Sequence, residues 1–219
     1  MNKGGRVHGG PFITVEGPIG VGKTFLAKAI AEAFQFQLLK EIVDENPFLG
    51  KFYEDIEEWS FQTEMFFLCN RYKQLEDIQK HFLHQHQPVV ADYHIMKNMI
   101  FAQQTLKDSQ YIKYVQIYDI LTHDMPKPNI VIYLNATLPT LLKRIKMRGR
   151  EIEKNIDPSY LAQLSSDYEE AIKTFKENNP QVTVLRYSGD ELDFVKNKEH
   201  LEHIISDVKS SLLKRSSTI

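Results

Sequence analysis

The run Gly17-Pro18-Ile19-Gly20-Val21-Gly22-Lys23-Thr24 constrains the fold more than any other stretch, because it matches G-x-x-x-x-G-K-[ST]. The apolar segment Phe12 to Val15 precedes it and a helical pattern from Phe25 to Phe34 follows, which is the strand-to-helix setting the motif requires. In that setting Gly17, Gly20 and Gly22 let backbone N–H groups turn inward on phosphates, and the helix N-terminus adds partial positive charge. Lys23 is placed to reach a transferring phosphate, and Thr24 to ligate Mg²⁺. ATP or GTP with Mg²⁺ is therefore expected.

Further apolar runs, Gln37 to Val43, Pro88 to Ala91, Ile130 to Leu134 and Val182 to Leu185, alternate with helix-length amphipathic segments. Strands alternating with helices predict an α/β fold, a parallel five-stranded sheet covered by helices on both faces. Apolar residues from Phe61 to Phe82 recur at helical spacing, so about Trp59 to Phe82 reads as one long helix. A later helix is expected from Asp157-Pro158, a good N-cap followed by a good first residue, to about Asn178. At 219 residues and 42% hydrophobic content the chain can bury one substantial core. Residues 11–214 read as a single domain, with residues 1–10 and Arg215 to Ile219 as tails.

The balance of 27 Lys+Arg against 29 Asp+Glu leaves no bulk positive charge for a nucleic-acid polymer or an anionic membrane, so a small-molecule partner is expected. Cys69 stands alone inside an apolar stretch and reads as a buried thiol, not as half of a disulfide or a metal ligand. No apolar run approaches the ~18 residues of a membrane span, and MNKGGRVHGG lacks the apolar core of a signal peptide. A cytoplasmic location is expected.

Three further features carry chemistry. Asp92 ends the apolar run Pro88 to Ala91 and is the candidate carboxylate on the metal side. Arg144, Arg148 and Arg150 cluster around Gly149; arginines four apart share a helix face, and guanidiniums at a glycine break can fold over a triphosphate as a lid. The string Asn197-Lys198-Glu199-His200 lacks the aspartate of a guanine-reading [NT]-K-x-D loop, which weakens a non-catalytic switch reading.

Together with this loop, Glu41-Ile42-Val43, Trp59-Ser60-Phe61 and the arginine-rich RIKMRGR resemble the deoxynucleoside kinase family, bacterial deoxyguanosine kinases most of all. The resemblance runs from Phe12 to the final helix and implies a P-loop kinase fold with an arginine lid, ATP and Mg²⁺ as cofactors, and a homodimer. It also implies that Glu41 is the general base for the substrate's 5′-hydroxyl, a role suited to the carboxyl end of a parallel strand. Asp44 and Glu45 are fallback bases. Tyr53 and Glu153 correspond to residues that hold the sugar 3′-hydroxyl, and Asp193-Phe194 to the loop near the adenine of the phosphate donor.

The base pocket departs from the family's common pattern. An acid and arginine pair beside the substrate is here Asp92-Tyr93, a base-pocket aspartate has no counterpart near Lys97 and Asn98, and a base-reading glutamine aligns with Glu64. A glutamine amide offers one donor and one acceptor, whereas an ionised glutamate offers acceptors only. Guanine presents N1–H and N2–H₂ side by side, so Glu64 points to deoxyguanosine. Arg71, seven residues on and hence on the same helix face, can donate to guanine O6 and N7. Deoxyadenosine, or a broader range of deoxynucleosides, is the alternative substrate.

Overall fold

The computed structural model describes residues 9–43 and 45–216. β1 (Phe12–Glu16) is buried at every residue, because strands flank it on both edges and helices cover both faces. α1 (Lys23–Phe34) leaves the phosphate-loop sequence directly. β2 (Gln37–Leu39), α2 (Leu49–Glu54) and α3 (Ile56–His81) follow. α3 is held at its start by Asp55, whose carboxylate accepts from the Glu58 N–H at 3.1 Å. β3 (Val89–Ala91), α4 (Lys97–Thr105), α5 (Asp108–Thr122) and β4 (Ile130–Asn135) lead to α6 (Leu138–Arg148), which Gly149 terminates in the left-handed conformation. α7 (Pro158–Asn178), capped by Asp157, then β5 (Thr183–Ser188) and α8 (Lys198–Ser216) complete the chain.

All strand pairs are parallel and the order is β2-β3-β1-β4-β5. This is the expected five-stranded α/β sheet. One large apolar cluster joins Ile13, Val15, Ile30, Ile132 and Leu164, and a second joins Phe12, Leu68, Leu75, Val89 and Tyr114. β1 contributes to both, since alternate side chains face opposite sides of the sheet.

Among the boundaries that differ from the sequence expectation, two have a reason in the contacts around them. β2 ends at Leu39 rather than Val43: its sole strand neighbour, β3, ends opposite it at Ala91, where the Asp92 N–H bonds the Leu39 carbonyl at 3.1 Å. Gly10, placed in the N-terminal tail, is buried and donates to the Leu83 carbonyl at 3.1 Å; residues 1–8 lie outside the described residues. At the other end α8 continues through Ser216, with residues 217–219 outside the described ones. Cys69 is exposed, correcting the buried thiol: on α3 the turn that buries Phe67 and Leu68 carries the next residue outward.

Gly17 has φ near +144°, and a Cβ there would lie 2.1 Å from the Leu134 carbonyl oxygen. Both the backbone and the space demand glycine. Gly17→Ala should therefore cost ~3 kcal/mol or more, a clash added to a strained φ, and lower the thermal midpoint by several degrees. Gly50→Ala, on α2 with nothing within 4 Å of the added carbon, is the control and should stay within about 1 kcal/mol of the parent.

Candidate active site

A cavity of about 520 Å³ opens at the carboxyl ends of the strands. In open α/β sheets this is where ligands sit. Its phosphate end is built from Gly20, Gly22, Lys23 and Thr24 at the start of α1. Gly17, Gly20 and Gly22 all have positive φ, so the loop between β1 and α1 curls around its own backbone. The Lys23 ammonium reaches back to the Gly17 and Pro18 carbonyls at 2.7 and 3.0 Å, and burial together with the nearby Lys97 charge pulls it down to about 8. Its tip thus lies inside the loop that cradles phosphates.

Asp92 ties this end to the substrate end. One of its oxygens accepts from the Thr24 hydroxyl at 2.7 Å, the other from the Glu41 N–H at 2.6 Å. That second bond fixes the turn by which the chain leaves β2, and it turns Glu41 into the cavity two residues beyond the strand rather than on it. The Glu41 carboxylate is bonded by Lys97 Nζ at 2.9 and 2.7 Å on its two oxygens, and by Arg71 through both Nε and Nη2. Burial alone would raise this carboxyl, but Lys97 and Arg71 outweigh it and hold Glu41 far below the usual carboxylate range. Of the fallback bases, Asp44 lies outside the described residues and Glu45 is exposed and outside the cavity wall.

Farther from the loop, Glu64 and Arg71 line the wall from α3, as their shared helix face predicted. Glu64 is 1% exposed, and its Oε2 has no hydrogen-bond partner among the described residues. Burial pushes this carboxyl up to about 8, against the opposing pull of Arg71 and Lys97. Arg71 lies over the Phe67 ring, and its Nη1 is also buried without a partner. Complementary unmet groups at one end of a cavity are the mark of a place that a polar ligand completes.

The lid side is equally specific. Glu153 is buried between Arg148, at 2.5 to 3.1 Å, and Arg150, at 3.5 Å. Tyr53 lines the cavity from α2; burial first, and then the Glu153 charge, push its hydroxyl well above its ordinary value. Arg144 also lines the cavity, but its guanidinium braces the phosphate loop by donating to the Val21 and Gly189 carbonyls at 3.0 and 2.7 Å. Asp193 and Phe194 are not in the wall. Phe194 is buried beneath the loop, where its ring would meet a Cβ on Gly22 at 3.1 Å, so it packs as core.

Two buried ionisable residues at this site escaped the sequence reading. Glu16 at the end of β1 accepts from the Gly17 N–H at 2.9 Å and the His94 N–H at 2.6 Å, joining the phosphate loop to the segment after β3. Lys97, near the place where the family's base-pocket aspartate is missing, carries no motif of its own. Tyr93, where an arginine was expected, is fully buried and donates its hydroxyl to Gln74 at 2.9 Å, which leaves Lys97 as the added cation on Glu41.

A family model described as deoxynucleoside kinase matches residues 13–214. The chain belongs to the deoxynucleoside kinase family. This deoxynucleoside kinase is 58% identical over 203 residues to the deoxyguanosine kinase of Bacillus subtilis (strain 168), covering 93% of this chain and 98% of that one. It is 32% identical to the deoxyadenosine/deoxycytidine kinase of the same organism, over 90% of this chain and 91% of that one. Among solved structures, the deoxyadenosine kinase from M. mycoides with bound dATP superposes with a TM-score of 0.77 at 26% identity, covering 91% of this kinase and 99% of that chain.

The Glu64 carboxyl generates a test on the ligand-free kinase. Its folded-state value, about 8, lies above the ordinary 4.5, so its contribution to stability is full below ~4.5 and is lost as pH rises to about 8. Glu64→Gln removes that titration while keeping the shape. The thermal midpoint of the variant relative to the parent should climb from pH 5 to pH 8 and level off above; a pH-independent difference would contradict the buried neutral acid.

Proposed function

We propose that this chain transfers the γ-phosphate of ATP to the 5′-hydroxyl of deoxyguanosine, forming dGMP in nucleotide salvage. Residues 11–214 act as one kinase domain, in the cytoplasm and as a homodimer. Ile112 and Ile120, exposed on α5, support an apolar face suited to a second copy. Among the described residues no helix is long and apolar enough to cross a membrane.

The residues present suit the phosphate donor and its metal. The positive-φ glycines and the buried Lys23 ammonium form a cationic cradle, and the Thr24 hydroxyl beside the Asp92 carboxylate is an oxygen pair suited to a hard divalent cation. Thr24 and Asp92 would hold Mg²⁺, which when bound offsets charge on the donor's phosphates. Glu41 takes the 5′-hydroxyl proton as that oxygen bonds to the terminal phosphorus, and the electron pair of the breaking bond stays with the leaving diphosphate. Lys23, Arg148 and Arg150 neutralise the charge that shifts between the two oxygens, with Arg144 holding the loop in shape. Tyr53 and Glu153 grip the sugar 3′-hydroxyl.

The unpartnered, buried Glu64 oxygen carries the choice of base. Guanine brings two adjacent donors, N1–H and N2–H₂, which stabilise the carboxylate anion; below pH 8 binding therefore releases a proton from Glu64. Arg71, whose Nη1 is unmet, faces the O6 and N7 acceptors. One observation favours a second reading: a neutral Glu64 offers one donor and one acceptor, as an amide does, and that is the complement of adenine. Deoxyadenosine is thus the runner-up.

Turnover of the four common deoxynucleosides with Mg²⁺-ATP tests the proposal; deoxyguanosine should be phosphorylated with the highest kcat/KM. At pH 8, Glu64→Gln should lower kcat/KM on deoxyguanosine by roughly 30- to 1000-fold, a loss of about 2–4 kcal/mol, and hold or raise it on deoxyadenosine. Equal losses on both would mean that Glu64 does not read the base.

A further inference from the structure

Among the buried ionisable side chains that line the cavity, Lys97 is the one to which neither the motifs nor the proposed chemistry assign a role. It is the first residue of α4, and its side chain is only 9% exposed. An ammonium is costly to bury, so its position needs a partner, and both oxygens of Glu41 supply it at 2.9 and 2.7 Å. Its field reaches Glu16 and Lys23 at the phosphate end and Glu64 at the base end, so the charge sits at the junction of the two halves of the cavity.

Glu41 has a second cation, and the two are not equivalent. Arg71 touches Oε1 alone, using Nε and Nη2, and keeps Nη1 buried without a partner among the described residues. A base entering between Glu64 and Arg71 offers acceptors to that guanidinium and draws it away from Glu41. Lys97 straddles both carboxylate oxygens and stays when Arg71 turns. Without it, the carboxylate in the loaded site would be buried and free to rotate, its oxygens no longer aimed along one direction.

We propose that Lys97 is a positioning residue for phosphoryl transfer: it clamps Glu41 as the acceptor of the 5′-hydroxyl proton while Arg71 engages the base. This rests on the kinase reading of Glu41. The clamp acts through Glu41, so removing Lys97 should lower kcat far more than it weakens nucleoside binding.

The experiment is a kinetic double-mutant cycle on the full chain with Mg²⁺-ATP and deoxyguanosine, using Lys97→Met, Lys97→Arg, Glu41→Gln and the double variant. Wild-type turnover and its loss in Glu41→Gln are checked first and test the underlying reading separately. Lys97→Met should then lower kcat by ~10- to 100-fold with less than ~3-fold change in KM for deoxyguanosine, and Lys97→Arg should recover most of the loss. In the Glu41→Gln background, where both members of the Lys97–Glu41 ion pair have been replaced by neutral side chains, Lys97→Met should change kcat by less than ~2-fold. This arm keeps the test decisive if Lys97→Met alone does not fold. A further loss of ~10-fold or more in that background would show that Lys97 acts directly on the reacting groups and would overturn the inference. An effect of Lys97→Met on KM alone, or on neither parameter, would overturn it as well.

Discussion

The site is organised around one buried carboxylate, Glu41, and the cations that keep it charged. A carboxylate withdrawn from water is costly unless its charge is matched and its lone pairs are satisfied. Lys97 and Arg71 do both, and each comes from a different element, so α3, α4 and the segment after β2 are fixed relative to one another by a single ionic cluster. Asp92 extends the linkage, since it bonds the Glu41 backbone with one oxygen and the Thr24 hydroxyl with the other. The proposed proton acceptor and the phosphate loop are thereby placed on one rigid frame. Positioning of this kind is the main thing a protein contributes to phosphoryl transfer.

Two carboxyls line the same cavity in opposite states. Glu41 is held far below the carboxylate range by two cations, while Glu64, farther along the wall and without a hydrogen-bond partner on Oε2, is pushed up to about 8 by burial. The contrast suits the separate tasks proposed for them, a permanent anion at the reacting end and an adjustable donor or acceptor at the recognition end. In the ligand-free site burial thus favours the neutral Glu64 acid, so that in the proposed complex the two guanine donors displace its proton.

Much of this was legible in the chain. The phosphate loop, the strand alternation and the long α3 follow from local pattern, because glycine spacing and apolar periodicity are written in consecutive residues. The Glu64 and Arg71 pair was legible because both lie on one helix face. Lys97 and Glu16 were not, since nothing in their neighbours in sequence reveals a partner 56 or 78 residues away. The true end of β2 was hidden for the same reason: it depends on where β3 stops. Phe194, placed near the donor's adenine by resemblance alone, packs as the core residue its apolar ring suggests, buried under Gly22.

Whether Glu41 accepts the proton of the nucleoside is tested by single-turnover transfer to deoxyguanosine in the Glu41→Gln variant. Replacing the carboxylate by an amide of the same shape removes the acceptor and leaves the cavity open. The transfer rate should fall ~10²- to 10⁴-fold with nucleoside affinity changed by only a few-fold. A transfer rate within a few-fold of the parent would contradict that role for Glu41.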